Sequence, residues 1–207
     1  MRILVVFCHP MRESFTGAVL DAFVAGAGDS GHEVEIADLY REEFQPAMQT
    51  EDYAQFHQQP LPADILAEQE RFERCDGFAL IFPIWWWSFP AMLKGWIDRV
   101  FTAGWAFAIP TDTEGSQLEP EGSMLTERKA VILACAGGSE RMFKKYGTRE
   151  AFRRQIEVGT MQYCGVSNVD THILYKAWED DETRRSAHLL LAHTCGRDFS
   201  SDEQRLP

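Results

Sequence analysis

The run GFALIFP, residues 77–83, contains no charged or polar side chain. A continuous apolar run of this length is typical of a strand in a parallel sheet, which helices cover on both faces. Two further runs, RILVVF (2–7) and KAVILACAGG (129–138), are nearly as apolar. Two segments with strand propensity, HEVEIADL (32–39) and VDTHILY (169–175), bring the number of predicted strands to five.

Helical patterns separate these strands. One begins near Thr16 and ends in GAGDSG (26–31), a second fills 62–74, and the polar segment 41–62 is expected to be a long excursion. The other expected helices are one capped by Ser88 with Pro90 in its first turn, one over 149–164 closed by Gly165, and one over 181–196 with Gly196 past its end. This alternation predicts a single α/β domain over 1–207, and five units favour a flavodoxin-like three-layer sandwich with strand order 2-1-3-4-5.

The chain is acidic, with a formal net charge of −12 from 20 basic and 32 acidic residues. Such a surface repels nucleic acid and anionic lipid, so we expect neither as a partner. No apolar run is long enough to span a membrane, and no cleavage site follows the apolar N-terminal stretch, so we expect a cytoplasmic protein. An anionic ligand would require locally positive groups.

Cysteines and histidines give no sign of a metal site in the sequence. The five cysteines form no C-x-x-C pair, and their odd number indicates reduced, packed thiols. The histidines His188 and His193 are five residues apart, which is a poor spacing for shared metal ligation on a helix. We therefore expect no metal.

The segment GAGDSG matches the G-x-G-x-x-G pattern of dinucleotide-binding loops. That pattern requires a strand before the glycines and a helix after them. Here a helix precedes and a strand follows, so we interpret these glycines as the end of the first helix and the turn into the second strand.

Polar residues follow the first predicted strand, in CHPMRESFTG. Ser14, Phe15 and Thr16 lead into the first helix, whose N-terminal N–H groups and dipole attract anions. His9 and Arg12 could add positive charge. The alternative is that Ser14 or Thr16 is simply an N-cap, which is far commoner than a phosphate site.

Three consecutive tryptophans, Trp85, Trp86 and Trp87, follow the third strand. Successive residues of an extended chain point in opposite directions, so the three indoles cannot all face one core. We expect at least one of them to be exposed in the ligand crevice, since exposed aromatic clusters mark binding surfaces.

The fourth strand runs into CAGGSE, where Gly137 and Gly138 would allow a ligand to approach the backbone closely. A plain turn is an equal interpretation of this loop alone. All three loops nevertheless follow neighbouring strands at the switch point of the predicted sheet, where ligands bind in open α/β folds.

The stretch FPIWWWSFPAMLKGWIDRVFTAGWAF (82–107) resembles the signature of flavodoxin-like NAD(P)H:quinone oxidoreductases, the family of DT-diaphorase and modulator of drug activity B. HPMRESFTG and AGGS resemble the other two flavin loops of this family. The resemblance implies a flavin that is held by His9, Ser14, Phe15 and Thr16 at its phosphate arm, by Pro83, Ile84, Trp85, Trp86 and Trp87 along the isoalloxazine, and by Ala136, Gly137 and Gly138 on the other side. FAD is usual in the nearest branch and FMN occurs in related ones, and the family is typically homodimeric.

The resemblance also implies a reaction, a two-electron ping-pong transfer of hydride from NAD(P)H through the flavin to a quinone, with NADH and NADPH both open. The substrate pocket would contain Trp105, Phe107 and Phe143, although these three residues could equally belong to the core. Tyr146 would donate a proton. Alternatives are reduction of azo or nitro compounds on the same fold, and a flavin-binding electron carrier or transporter-regulating partner.

The sequence departs from the family pattern in three places. The tyrosine and histidine that relay protons in the family correspond to Phe143 and a position near Arg149. Tyrosines of the family's substrate pocket correspond to Phe107 and Ile109. The acidic segment 111–128 replaces a short glycine-rich connector. These departures put the protonation route and the range of substrates in question while leaving the flavin loops intact.

Overall fold

The computed structural model describes residues 1–57, 59–107, 123–126 and 128–200. Five parallel strands form one sheet with the order β2-β1-β3-β4-β5, which confirms the predicted fold. The strands are β1 (Arg2–Phe7), β2 (Glu33–Asp38), β3 (Gly77–Pro83), β4 (Lys129–Ala136) and β5 (Asn168–Tyr175). Ile109 and most of the acidic segment 111–128 lie outside the described residues.

Helices cover both faces of the sheet. They are α1 (Phe15–Asp29), α2 (Ala63–Glu73), α3 (Ala91–Val100), α4 (Glu140–Lys145), α5 (Thr148–Arg153) and α6 (Glu182–Arg197). One apolar core lies between the sheet and α1 with α6, where Phe23 and Leu20 are buried. A larger core lies on the opposite face, where Phe72 of α2 and Trp96 of α3 are buried. No helix in the described ranges is long and apolar enough to cross a membrane.

Helix α1 ends at Asp29, within GAGDSG as predicted, whereas the end predicted for α6 before Gly196 is wrong. Glycines in both helices serve packing. Gly26 lies inside α1 and Gly196 lies inside α6. A Cβ added at Gly26 would lie 1.9 Å from the His193 carbonyl oxygen, and one at Gly196 would lie 2.1 Å from that of Phe23. The two glycines therefore allow the backbones of α1 and α6 to touch, and only Gly31, with φ of 71°, makes the turn into β2.

The chain around α3 also differs from the prediction. Pro90 occupies the N-cap position and Ala91 begins the helix. Ser88 is not the cap. It ends a turn in which its N–H donates to the Trp85 carbonyl over 3.2 Å, and its Oγ accepts a hydrogen bond from the Gln155 amide at 3.0 Å.

The segment predicted as one helix over 149–164 is composite. It begins as α5, continues through a π-helical stretch (Arg154–Met161) and a 3₁₀ turn (Gln162–Cys164), and ends at Gly165 with φ of 87°, as predicted. The short helix α4 before it was not predicted.

A buried ion pair attaches the excursion over 41–62 to α3. This excursion contains a 3₁₀ helix (Thr50–Phe56). Arg99 of α3 donates to both carboxylate oxygens of Asp52, at 2.8 and 3.0 Å, and to Asp64 at 2.8 Å. The Arg99 and Asp52 side chains are almost completely buried, so removing either partner would leave an unpaired internal charge.

Candidate functional site

The carboxyl ends of β1, β3 and β4 are neighbours in the sheet, so the loops that follow these strands meet at one edge. The His9 ring of the first loop lies 6.2 Å from the Trp85 ring of the second, centroid to centroid. His9 Nδ1 is tied to its own loop, since it accepts a hydrogen bond from the Met11 N–H at 3.0 Å. The structure therefore brings together the loops that the sequence had singled out.

The loop after β1 ends at a capped helix N-terminus. Ser14 is the N-cap of α1, and its Oγ accepts a hydrogen bond from the Gly17 N–H at 3.2 Å. The N–H groups of Phe15 and Thr16 donate to no other residue within the described part of the chain. Thr16 is buried, and its hydroxyl lies against the Cys135 thiol. Thr16 therefore offers a ligand its backbone N–H rather than its hydroxyl.

Positive charge at this end of α1 comes from a residue that sequence reasoning missed. Arg12, the expected source, is paired with Asp21 of α1. The guanidinium of Arg185, in the first turn of α6, instead lies 4.7 Å from the centroid of the Phe15 ring. Its side chain forms no ion pair with any other residue that the structure describes. No local pattern reveals Arg185, because the glycine contacts of α1 and α6 bring it there.

The tryptophan loop is a strained turn. Trp86 and Trp87 have φ of 50° and 58°, in the left-handed region that costs non-glycine residues about 1–2 kcal/mol each. Trp85 is half-buried, whereas Trp86 is 89% exposed and Trp87 is 41% exposed. The expectation that at least one indole is exposed is confirmed. Such strain concentrates at functional sites.

Trp86 and Trp87 line a cavity of about 190 Å³ together with residues of the loop after β4. Its other lining residues are Ile84, Ala136, Gly137, Gly138, Met142, Phe143 and Trp178. The N–H groups of Trp86, Trp87, Gly137 and Gly138 donate to no other described residue, so the cavity has unused donors beside its aromatic walls.

The two glycines have a defined steric role. A Cβ added at Gly137 would lie 2.9 Å from the Trp178 ring, and one at Gly138 would lie 2.2 Å from Met142 Cε. Gly137 and Gly138 thus allow these two side chains to form the cavity wall. Trp178, which is 79% exposed, was missed although it follows the predicted strand β5, as the other loops follow theirs.

Three residues expected near the substrate lie away from this cavity. Trp105 packs edge-on against Phe72, and Phe107 packs against Tyr163 at 5.6 Å between ring centroids. Tyr146 ends α4 and is 65% exposed. Only Phe143, among the predicted pocket residues, lines the cavity.

The two cysteines near the loops are buried thiols. Burial raises the pKa of Cys8 and the pKa of Cys135 to about 12 each. Both thiols remain protonated at neutral pH, so neither is a nucleophile.

The arrangement fits a flat heteroaromatic ring with a phosphorylated tail. Indoles and glycine backbone provide an apolar slot whose N–H donors pair with no other described residue and so suit the polar edge of the ring. The N-terminus of α1 and the Arg185 guanidinium provide donors and positive charge for phosphate. These are the features that binding of a flavin requires.

Comparison with known proteins agrees with this geometry. A family model described as flavodoxin-like fold matches residues 1–193. An NAD(P)H:quinone oxidoreductase structure from Methanothermobacter marburgensis is 34% identical with a TM-score of 0.86, covering 100% of this chain and 99% of that one. The ribosyldihydronicotinamide dehydrogenase (quinone) of Rattus norvegicus is 27% identical over 91% of this chain and 87% of its own length. An azoreductase structure from Bacillus anthracis, at 20% identity and a TM-score of 0.75, covers 96% of this chain and all of its own and shares the fold.

Proposed function

Because the chain belongs to the flavodoxin-like fold family, we propose that it is a flavin-dependent NAD(P)H:quinone oxidoreductase. The observation that carries this proposal is the cavity between Trp86, Trp87 and Trp178, with unpaired backbone donors along it. Support comes from the quinone oxidoreductase of M. marburgensis, which is similar over the whole length of both chains.

Each of the three loops has a part in holding the flavin. One side of the ring would be held by Pro83, Ile84 and the three tryptophans, and the other side by Ala136, Gly137 and Gly138. The phosphate arm would be held by His9, the Ser14 cap and the backbone N–H groups of Phe15 and Thr16. Arg185 adds the positive charge that the acidic surface lacks.

A bound flavin supplies hydride exchange with a nicotinamide and then a quinone in one shared cavity, which gives ping-pong kinetics. The chain's own contribution is binding and electrostatics. The N–H groups of Trp86, Trp87 and Gly138 stabilise negative charge at the polar edge of the ring, by about 1.5–3 kcal/mol for each charge-assisted hydrogen bond. Trp86 and Trp178 line the cavity, so their indoles would exclude water from a ring that is bound there.

We assign FAD as the cofactor, with FMN as the alternative. The Arg185 guanidinium suits a phosphate of either flavin, so the preference for FAD rests on the resemblance of the sequence to the branch of the family in which FAD is usual. Mass spectrometry of the chromophore released from purified protein distinguishes the two, and titration with NADH and with NADPH identifies the reductant.

Tyr146 is proposed as a proton donor, and Trp105 and Phe107 as further lining of the substrate pocket. These roles depend on a third proposal, that the protein forms a homodimer. Tyr146 is exposed on one protomer, and a second copy could enclose it. Light scattering tests the dimer. Tyr146→Phe tests the donor, with Tyr53→Phe, which alters another exposed tyrosine, as the matched control, and loss of quinone reduction in Tyr146→Phe alone is expected.

The activity is tested by following NAD(P)H oxidation by the yellow protein with and without a small quinone. Oxidation that accelerates strongly on adding quinone is expected, whereas an electron carrier would barely respond. A parallel assay with an azo dye tests the alternative reductase. Faster turnover of the dye than of any quinone would contradict the proposal.

A further inference from the structure

A second cluster of reactive side chains lies between β5 and α6, away from the flavin cavity. Asp170 and His172 are two residues apart on β5, so their side chains share one face of the sheet. That face is covered by α6, which contributes the free thiol of Cys195. One ligand atom from each residue lies within 4.8 Å of the other two.

The imidazole of His172 contacts both other members of the cluster. Its Nε2 lies 2.9 Å from Asp170 Oδ2, and its side chain is also within hydrogen-bonding reach of the Cys195 thiol. Three potential ligand atoms from two packed elements therefore converge on one small volume.

We propose that Asp170, His172 and Cys195 form a binding site for a divalent transition metal ion of the Zn²⁺ type. One carboxylate, one imidazole and one thiolate are a donor set that zinc accepts in tetrahedral geometry, whereas magnesium and calcium require oxygen ligands only. The two anionic ligands balance the charge of the ion.

The surroundings supply the fourth ligand. His172 also lines a cavity of about 200 Å³ at the free edge of β5, which contains Thr171 and the side chains of Arg149 and Arg153. A water molecule can reach the ion through this cavity and complete a tetrahedron. Cys195 is 3% exposed, so its side of the site is sealed by the core.

The site would fasten α6 to the edge strand, because its ligands come from both elements. Sequence spacing could not reveal it, since positions 170 and 195 are separated by the whole connection from β5 into α6.

The test uses flavin-loaded protein without a histidine tag, stripped with a chelator and titrated with Zn²⁺ alone against a chromophoric chelator. We expect one equivalent of Zn²⁺ per chain and a higher unfolding temperature when it is bound. We expect weaker Zn²⁺ binding in each of the variants Cys195→Ser, His172→Gln and Asp170→Asn. The loss should exceed the roughly 10- to 100-fold loss of affinity that follows when a metal ligand loses its hydrogen-bonding partner.

Two matched variants remove the same residue types elsewhere. Cys164→Ser replaces another buried thiol, and His193→Gln replaces a histidine on α6 that pairs with Asp29. Both should bind Zn²⁺ like the parent protein. The proposal would be overturned if the controls lost Zn²⁺ affinity as much as the ligand variants do, or if the ligand variants bound Zn²⁺ like the parent. Less than half an equivalent of Zn²⁺ bound per chain of the parent would overturn it as well.

A measurement on the unaltered protein keeps the test independent of variants that fail to fold. Co²⁺ in place of Zn²⁺ should give intense ligand-field bands at wavelengths longer than flavin absorption, as tetrahedral sites do. Weak bands, typical of octahedral Co²⁺ bound to water and surface carboxylates, would contradict a site built from these three side chains.

Discussion

Two tryptophans ten residues apart have opposite surroundings. Trp96 is completely buried in α3, its Nε1 donates to Glu68 Oε2 at 2.9 Å, and its ring packs against Phe72. Trp86 is 89% exposed, and its backbone is in the left-handed region. The first indole satisfies its N–H and adds to the core, whereas the second costs backbone strain and lines an open cavity without adding to the core.

The same contrast holds for charges and donors around the two tryptophans. The region of α2 and α3 satisfies its own polar groups, since Arg99 is matched by Asp52 and Asp64. The loops at the carboxyl edge leave backbone donors unused and place Arg185 without an ion pair among the described residues. A region whose charges and donors pair with one another stabilises the fold. A region that leaves such groups without partners among the described residues is suited to bind a ligand.

The largest expected effect is on stability, from Trp96→Ala. Loss of this buried ring should lower the free energy of unfolding by about 3–5 kcal/mol, measured by urea denaturation of the flavin-free protein. Trp86→Ala should change it by less than about 0.5 kcal/mol, as exposed substitutions do. Similar losses from the two variants would remove the distinction between the regions.

The order of the effects should reverse for flavin binding. Trp86→Ala should raise the flavin dissociation constant roughly tenfold, because an aromatic contact of about 1–1.5 kcal/mol is lost. Trp96→Phe, which keeps a ring in the core, should bind flavin like the parent. Fluorescence titration of the flavin-free protein measures both, and equal affinities for Trp86→Ala and the parent would contradict the assignment of the cavity.

Strand positions and strand order were predictable because buried parallel strands are marked by their own composition. RILVVF and GFALIFP require no knowledge of their neighbours, and right-handed crossovers restrict the winding. The predicted end of α6 was wrong at Gly196, and Gly26 packs inside α1 rather than ending it, because a glycine that stops a helix and a glycine that admits another helix are identical in sequence. Ser88 failed because the left-handed turn at Trp86 and Trp87 moved the cap position to Pro90.

The candidate site was predictable in part for a similar reason. Loops that follow adjacent strands meet at one edge whatever their composition, so His9, Trp85 and Gly138 could be placed near one another. Arg185 and Trp178 come from beyond β5, and they reach the site only through the packing of α6 on α1 and of Trp178 over Gly137. Contacts of this kind depend on tertiary distances that one sequence does not contain.

A smaller effect is expected from Gly138→Ala. The new Cβ would meet the flexible tip of Met142, so the side chain would move into the cavity at a cost to flavin binding of about 1 kcal/mol, roughly fivefold in affinity. Adding Met142→Ala should restore most of the affinity. Gly28→Ala, where nothing lies within 4 Å of the new atom, is the control that should leave flavin binding unchanged. Failure of the double variant to recover would show that Met142 is not the obstacle.

The smallest expected effect is the pH dependence that Glu68 gives to the region around Trp96. Burial raises the pKa of Glu68 above its ordinary value of 4.5, against the hydrogen bond from Trp96 and the charge of Arg71, which lower it. The folded protein therefore holds this proton more tightly than the unfolded chain does. The resulting stability is present below about pH 4.5 and is lost as the pH rises through the raised pKa.

Glu68→Gln should remove this loss, because the amide oxygen still accepts from Trp96 but does not titrate. The difference in unfolding free energy, variant minus parent, should increase as urea titrations move from pH 4.5 towards neutrality. In a Trp96→Phe background, which lacks the N–H that favours the carboxylate, the increase should be larger and extend to higher pH. A difference that stays flat with pH in both backgrounds would contradict the raised pKa of Glu68. An equal increase in both would mean that the buried indole and the carboxyl are not coupled, and that Trp96 stabilises the protein by packing alone.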